Sequence, residues 1–177
     1  MRLGFSTVMY EGTGLPLSDI IGKAATLGYD GVELNFREQP STLDVNEILG
    51  ALRTFGVRVA AIGTRHMHVT HGLYLASPRR KVREEAITYV TECMELANKL
   101  NCSMVQAGWA FQGSKLEAPF ETTWENAVQS LKEVGRRALD HGVNFVIEYQ
   151  NKKDAKLVNT MDDALRILDE VGYESVL

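Results

Sequence analysis

One recurring junction constrains the fold of this chain more than any other feature. An amphipathic helix closes on a glycine or asparagine, and a short apolar strand follows within a few residues. The junction is read at Leu27-Gly28-Tyr29-Asp30-Gly31-Val32-Glu33-Leu34, at Phe55-Gly56-Val57-Arg58-Val59 and at Leu100-Asn101-Cys102-Ser103-Met104-Val105. It returns at His141-Gly142-Val143-Asn144-Phe145-Val146-Ile147 and again at Val171-Gly172-Tyr173-Glu174-Ser175-Val176-Leu177. Glycine and asparagine adopt the left-handed conformation that closes a helix at the least cost. The spacing predicts strands near 2–8, 31–35, 57–63, 103–108 and 144–149. It predicts helices near 17–28, 44–55, 78–100, 123–141 and 161–171. Helix starts are expected at Asp44 with Glu47, at Ser77-Pro78, at Thr122 with Glu125, and at Thr160 with Asp162 and Asp163.

Short apolar strands joined by helices imply an α/β fold with a parallel sheet. Two architectures fit. One is an open five-stranded doubly wound sheet. The other is a parallel (β/α)8 barrel, a fold of about 250 residues, of which 177 residues supply about five of eight units. The first loop, Val8-Met9-Tyr10-Glu11-Gly12-Thr13-Gly14-Leu15-Pro16, lacks the third glycine of a dinucleotide fingerprint, which favours the barrel. No composition shift divides the chain. Residues 1–177 are expected to form a single (β/α) domain, truncated at the start of a sixth strand near Ser175.

Composition narrows the function classes. The net charge of −4 does not favour a nucleic-acid partner, which needs a basic face. No apolar run is long enough to span a membrane, and Met1-Arg2-Leu3-Gly4-Phe5-Ser6 reads as a strand rather than a leader. The two cysteines, Cys93 and Cys102, lack a paired spacing. They are read as reduced thiols of a cytoplasmic protein.

In either architecture, chemistry collects at the C-terminal ends of the parallel strands. Tyr10 and Glu11 fall there after the first strand, and Glu33, Asn35, Arg37 and Glu38 after the second. Thr64, Arg65, His66, His68 and His71 follow the third. Gln106, Trp109 and Gln112 follow the fourth, and Glu148, Gln150, Asn151 and Lys152 the fifth. Glu148 is the first candidate, because it ends an apolar strand where a buried carboxylate needs a cation, hydrogen bonds or a raised pKa. The alternative is a structural ion pair. In an extended segment, His66 and His68 would face one side as metal ligands do, or the segment is simply a loop. Trp109 suits either the wall of a sugar pocket or packing under a loop. The basic run Arg79, Arg80, Lys81 and Arg83 fits an anion site or a solvated face.

Several segments resemble the xylose-isomerase-like TIM-barrel superfamily of sugar isomerases and epimerases. Ala61-Ile62-Gly63-Thr64, Gly72-Leu73-Tyr74-Leu75-Ala76-Ser77-Pro78 and Val82-Arg83-Glu84-Glu85-Ala86-Ile87 are similar to its third strand, loop and helix. Val146-Ile147-Glu148 with Asn151-Lys152 is similar to its fifth strand, where the family carries a metal-binding glutamate. The resemblance implies a divalent metal (Mn, Mg, Co or Zn) and proton transfer between adjacent carbons of a sugar, sugar phosphate or keto-polyol through an enediolate. It implies that Glu148 is metal ligand and acid/base. Glu33, His66, Gln106, Trp109 and Asn151 would contact a small sugar-like substrate. The family's remaining metal ligands lie on strands six to eight, so one copy of this chain would lack a complete metal site. Homo-oligomers that bury exposed sheet edges are one expected consequence. An apurinic-endonuclease-like metal nuclease and a non-catalytic degenerate barrel module remain the alternatives.

Overall fold

A computed structural model describes residues 2–177. Its strands are β1 (Gly4–Ser6), β2 (Gly31–Asn35), β3 (Arg58–Gly63), β4 (Met104–Ala107) and β5 (Asn144–Ile147). The helices are α1 (Leu17–Thr26), α2 (Val45–Phe55), α3 (Arg65–Val69), α4 (Arg80–Lys99), α5 (Trp109–Gln112), α6 (Phe120–His141) and α7 (Met161–Val171). The five strands form one parallel sheet in the order β1-β2-β3-β4-β5.

That order decides between the two architectures. A doubly wound sheet reverses its strand order at a switch point, and this sheet never does. Side-chain alternation agrees, with one slip in β3 where its register shifts against β2. Val32, Leu34, Val59, Ile62, Val105, Phe145 and Ile147 are buried in the same core as the helices. The alternate residues Ser6, Glu33, Asn35, Arg58, Met104, Gln106, Asn144 and Val146 are half-buried or exposed. Helices therefore cover one face of the sheet, and the other face is the interior of an incomplete barrel. The helices pack as neighbours around it, α1 on α2, α4 on α6 and α6 on α7. Ser175–Leu177 continue the progression. The Phe145 and Ile147 amides donate to Ser175 and Leu177 carbonyls at 2.7 Å each, so a parallel partner begins beside β5.

The junction residues act as expected. Gly56 and Gly142 close α2 and α6 at φ 67° and 63°, and Asn101 follows α4 at φ 54°. Asp44 caps α2 by accepting from Asn46 and Glu47 amides at 2.9 and 3.2 Å. Thr160 and Asp163 form a reciprocal capping box at the start of α7.

Other expectations need correction. The first strand ends at Ser6, because Thr7–Tyr10 turn into a 3-10 helix. Thr122 and Glu125 do not cap α6, which begins at Phe120 after Pro119. Proline at that position presets the turn, three residues ahead of the expected start near 123. Helix α4 begins at Arg80, and the Ser77 hydroxyl accepts from the Arg79 amide at 3.3 Å just outside it. The basic run at the start of α4 is a solvated face, with Arg80–Glu84 and Lys81–Glu85 ion pairs one turn apart.

Candidate active site

The inner face of a parallel strand presents every second side chain. At the C-terminal end of this sheet, that alternation brings Ser6, Glu33, Asn35, Gln106 and Val146 to one cavity of about 590 Å³. Glu148 and Gln150 enter it from the segment after β5, and Arg65 and Trp109 from the first residues of α3 and α5. No helix of the described residues is long and apolar enough to cross a membrane.

Glu148 is held at its backbone by donation from its amide to the Ala107 carbonyl at 2.9 Å. Its Oε2 accepts from Gln106 Nε2 at 2.7 Å and from Gln150 Nε2 at 2.8 Å. Two amide donors on one oxygen fix the plane of the carboxylate and leave Oε1 for other contacts. The expectation of a buried carboxylate is corrected, because Glu148 is exposed on the open side of the sheet. A hydrogen-bond cradle takes the place of the expected burial. Gly108 makes room for it. A Cβ there would lie 2.5 Å from Gln150 Nε2 and 2.9 Å from Glu148 Oε2.

Glu33 stands in a second network. Its Oε1 accepts from the Ser6 hydroxyl at 2.9 Å and from Asn35 Nδ2 at 2.7 Å. The Asn35 amide N–H donates to Thr7 Oγ1 at 3.0 Å. Gly63, paired with Asn35 across the sheet, is again required by space, since a Cβ there would collide with the Asn35 amide. A register shift between Val32 and Glu33 adjusts β2 against β3 just below this point.

Arg65 and Trp109 form the third part of the wall. The Arg65 guanidinium carbon lies 4.7 Å from the Trp109 ring centroid. Arg65 Nε is 3.4 Å from Glu11 Oε2, and Arg37 donates to Glu11 Oε1 at 2.5 Å.

His66 and Asn151 are not part of the wall. His66 is 4% exposed, and its Nδ1 pairs with Thr70 Oγ1 at 2.9 Å. It borders a smaller cavity of about 180 Å³ together with Glu11 and Arg37. Burial pushes its pKa below the ordinary imidazole value, and Glu11 opposes that shift. The extended geometry expected for His66 and His68 is corrected. Both lie in α3, where residues two apart point in nearly opposite directions. His68 instead meets the Tyr74 ring edge-on at 5.5 Å, and His71 Nε2 pairs with the Arg37 carbonyl at 3.0 Å. Asn151 turns the exposed segment after β5 by accepting from the Lys153 amide at 2.9 Å and pairing with Asp154. Gln112 is a structural clamp whose Oε1 accepts from the Val158 amide at 2.9 Å.

Of the six residues singled out by sequence, the cavity thus unites Glu33, Gln106, Trp109 and Glu148. It adds Ser6, Asn35, Arg65 and Gln150, of which only Ser6 lay outside the sequence reading of the strand ends. Alternation with Gly4 would have assigned Ser6 to the inner face.

A family model described as xylose isomerase-like TIM barrel matches residues 21–177. The chain belongs to this family. It is 25% identical over 166 residues to the D-psicose 3-epimerase of Ruminiclostridium cellulolyticum. That match covers 88% of this chain and 54% of the relative, so the chain spans about half the relative's length. The fold matches several solved structures. A D-psicose 3-epimerase crystallised with D-tagatose, from Clostridium cellulolyticum, superposes with TM-score 0.83 at 21% identity, over 99% of this chain and 62% of the other. An L-ribulose 3-epimerase gives TM-score 0.82 at 20% identity, over 99% and 59%. An AP endonuclease of family 2 from Brucella melitensis gives 0.77 at 17%, over 99% and 67%.

The fit of a metal to these residues is limited. Among the described residues, no group of three or more His, Cys, Asp or Glu side chains is placed to hold an ion. Glu148 offers the unpaired Oε1, whereas Glu33 Oε1 is taken by Ser6 and Asn35. The described residues do not assemble a complete metal site.

Proposed function

We propose that this chain supplies the N-terminal barrel units of a sugar epimerase or isomerase, which moves a proton beside the carbonyl of a keto sugar. One observation carries the reading. A carboxylate, Glu148, stands at the C-terminal end of β5 over a cavity of about 590 Å³, with one oxygen fixed by two amides and the other free. The 25% identity to a D-psicose 3-epimerase gives the reaction class its support.

Abstraction of a proton beside a carbonyl needs a base held at the correct angle, and such positioning contributes about a hundredfold or more to rate. Glu148 is the base in this reading, and Gln106 and Gln150 are the groups that orient it. The resulting enediolate collapses when a second acid on the opposite face delivers a proton to the same carbon, or when Glu148 returns its proton to the adjacent carbon while the hydroxyl proton passes to the former carbonyl oxygen. The first outcome is epimerisation and the second isomerisation. Glu33, held by Ser6 and Asn35, accepts from a substrate hydroxyl, and Trp109 packs against the sugar.

A divalent ion (Mn, Mg, Co or Zn) belongs to the reading of the whole protein, where it would stabilise the enediolate charge. Glu148 is the one ligand these residues offer it, and no step above is routed through it. The same reading places the protein in the cytoplasm, where the buried free thiols Cys93 and Cys102 would stay reduced.

The test is interconversion of D-psicose and D-fructose, and of a panel of ketopentoses, followed by chromatography for the whole protein that carries these units and for its Glu148→Gln variant. The expected result is product formation that falls about a hundredfold or more in the variant. Equal rates in both proteins, or no keto sugar converted, would overturn the reading.

A further inference from the structure

The proposed reaction leaves one group on the cavity wall without a task. Arg65 is the only cationic side chain lining that cavity among the described residues. Its charge is incompletely answered. Glu11 carries one negative charge and stands between two guanidinium groups, with Arg37 on Oε1 at 2.5 Å and Arg65 Nε at 3.4 Å from Oε2. The shorter contact goes to Arg37. Arg65 Nε is buried without a hydrogen-bond partner.

The orientation of Arg65 is nevertheless fixed. Its guanidinium carbon lies over the Trp109 ring, 4.7 Å from the centroid, and Trp109 opens α5 directly after β4. A guanidinium held over a ring by cation–π attraction stays in place and keeps its N–H fork to donate. That fork matches the two oxygens of a phosphate or carboxylate. A neutral sugar hydroxyl would use only part of it.

We propose that Arg65 is a specificity-determining residue that binds an anionic substituent, phosphate or carboxylate, on the keto sugar. The inference rests on the epimerase or isomerase reading above and extends it to a substrate class. The two carboxylates on the same wall, Glu33 and Glu148, set the polarity of binding. The substrate's anion lies at the Arg65–Trp109 end, and its neutral carbons lie along the carboxylates. The anion thereby selects which carbon meets Glu148.

The experiment compares kcat/KM for a neutral ketose, its terminal phosphate and the corresponding keto-aldonate, in the protein, Arg65→Met and Arg65→Lys. The protein is expected to favour one of the charged forms over the neutral ketose by at least about tenfold. A charge-assisted pair lost at such a site corresponds to about ten- to a hundredfold in affinity. The charged-to-neutral ratio is therefore expected to fall by that factor in Arg65→Met and to recover in part in Arg65→Lys. Because the ratio is taken within one protein, a loss of folded material cancels. Preference for the phosphate identifies a sugar phosphate, and preference for the aldonate identifies a sugar acid. Inorganic phosphate or acetate, respectively, should then compete with substrate in the unsubstituted protein. Turnover of the neutral ketose as well as of both charged forms, or a ratio unchanged in Arg65→Met, would overturn the role of Arg65 and leave the epimerase reading standing. Absence of turnover on every keto sugar would overturn both.

Discussion

With Glu148 as the base proposed above, replacing Gly108 by alanine should damage catalysis far more than stability. The added Cβ would lie 2.5 Å from Gln150 Nε2 and 2.9 Å from Glu148 Oε2, both inside van der Waals contact. Gly108 has a φ of −103°, so alanine adds no left-handed strain. The two atoms it meets are ends of side chains that face a cavity, so they yield before the backbone does. Their displacement removes the hydrogen bond from Gln150 at 2.8 Å and shifts the carboxylate that accepts it. Misplacement of a catalytic group by about 1 Å costs on the order of a hundredfold, or about 2.7 kcal/mol in the barrier. The loss should fall on kcat, because the groups that contact the remainder of the sugar stay in place. Stability should change by less than about 1 kcal/mol, as is usual for a substitution outside the core. Steady-state kinetics on keto sugars and urea unfolding of the same preparations measure the two quantities. Activity within about threefold of the unsubstituted protein, at unchanged stability, would refute the argument that Glu148 works through this cradle.

Two further predictions concern stability. Thr160→Ala removes the hydroxyl that accepts from the Asp163 amide at 3.1 Å, half of the box that starts α7. It should lower unfolding free energy by about 1 kcal/mol in urea titrations, and no change would mean that the cap contributes nothing. Burial lowers the pKa of His66 and of His68 below the ordinary imidazole value of about 6.5, so the unfolded chain binds more protons than the folded one. Their contribution to stability is complete above about pH 6.5 and is lost as pH falls through the folded values. Urea midpoints measured between pH 8 and 5 should drop less steeply on the acid side in His66→Gln, and equal slopes would contradict the burial of a neutral imidazole.

The parts of the fold that were legible in the sequence are those with a steric cause. Gly56, Gly142 and Asn101 mark helix ends because few other residues take a positive φ cheaply. Glu148, Gln106 and Glu33 were legible because a polar residue at the end of an apolar parallel strand has few other places to face. Trp109 was found by the same reasoning, although it begins a short helix rather than ending the strand. His66 and His68 misled because α3 has five residues, too few for the helical period to show. The start of α6 was missed because Pro119 sets it, while Thr122 and Glu125 offer a competing cap pattern a few residues later. Gly108 and Gly63 were invisible as site residues. Their role is the space they leave for Gln150, Glu148 and Asn35, and those neighbours are known only once β2, β3, β4 and the segment after β5 are assembled.

In the proposed reaction Glu148 moves a proton beside the carbonyl of a keto sugar. Its most direct test is incubation of the protein with a converted keto sugar in D2O, with the product followed by proton NMR. The account predicts deuterium at the carbon beside the carbonyl, acquired at the rate of conversion and abolished by Glu148→Gln. For an epimerised product, whose new proton comes from a second acid, conversion with no solvent deuterium would mean that the carbon is inverted without deprotonation by a side-chain base. Deuterium incorporation that persists in Glu148→Gln would assign the proton to another group. Either result would contradict the account.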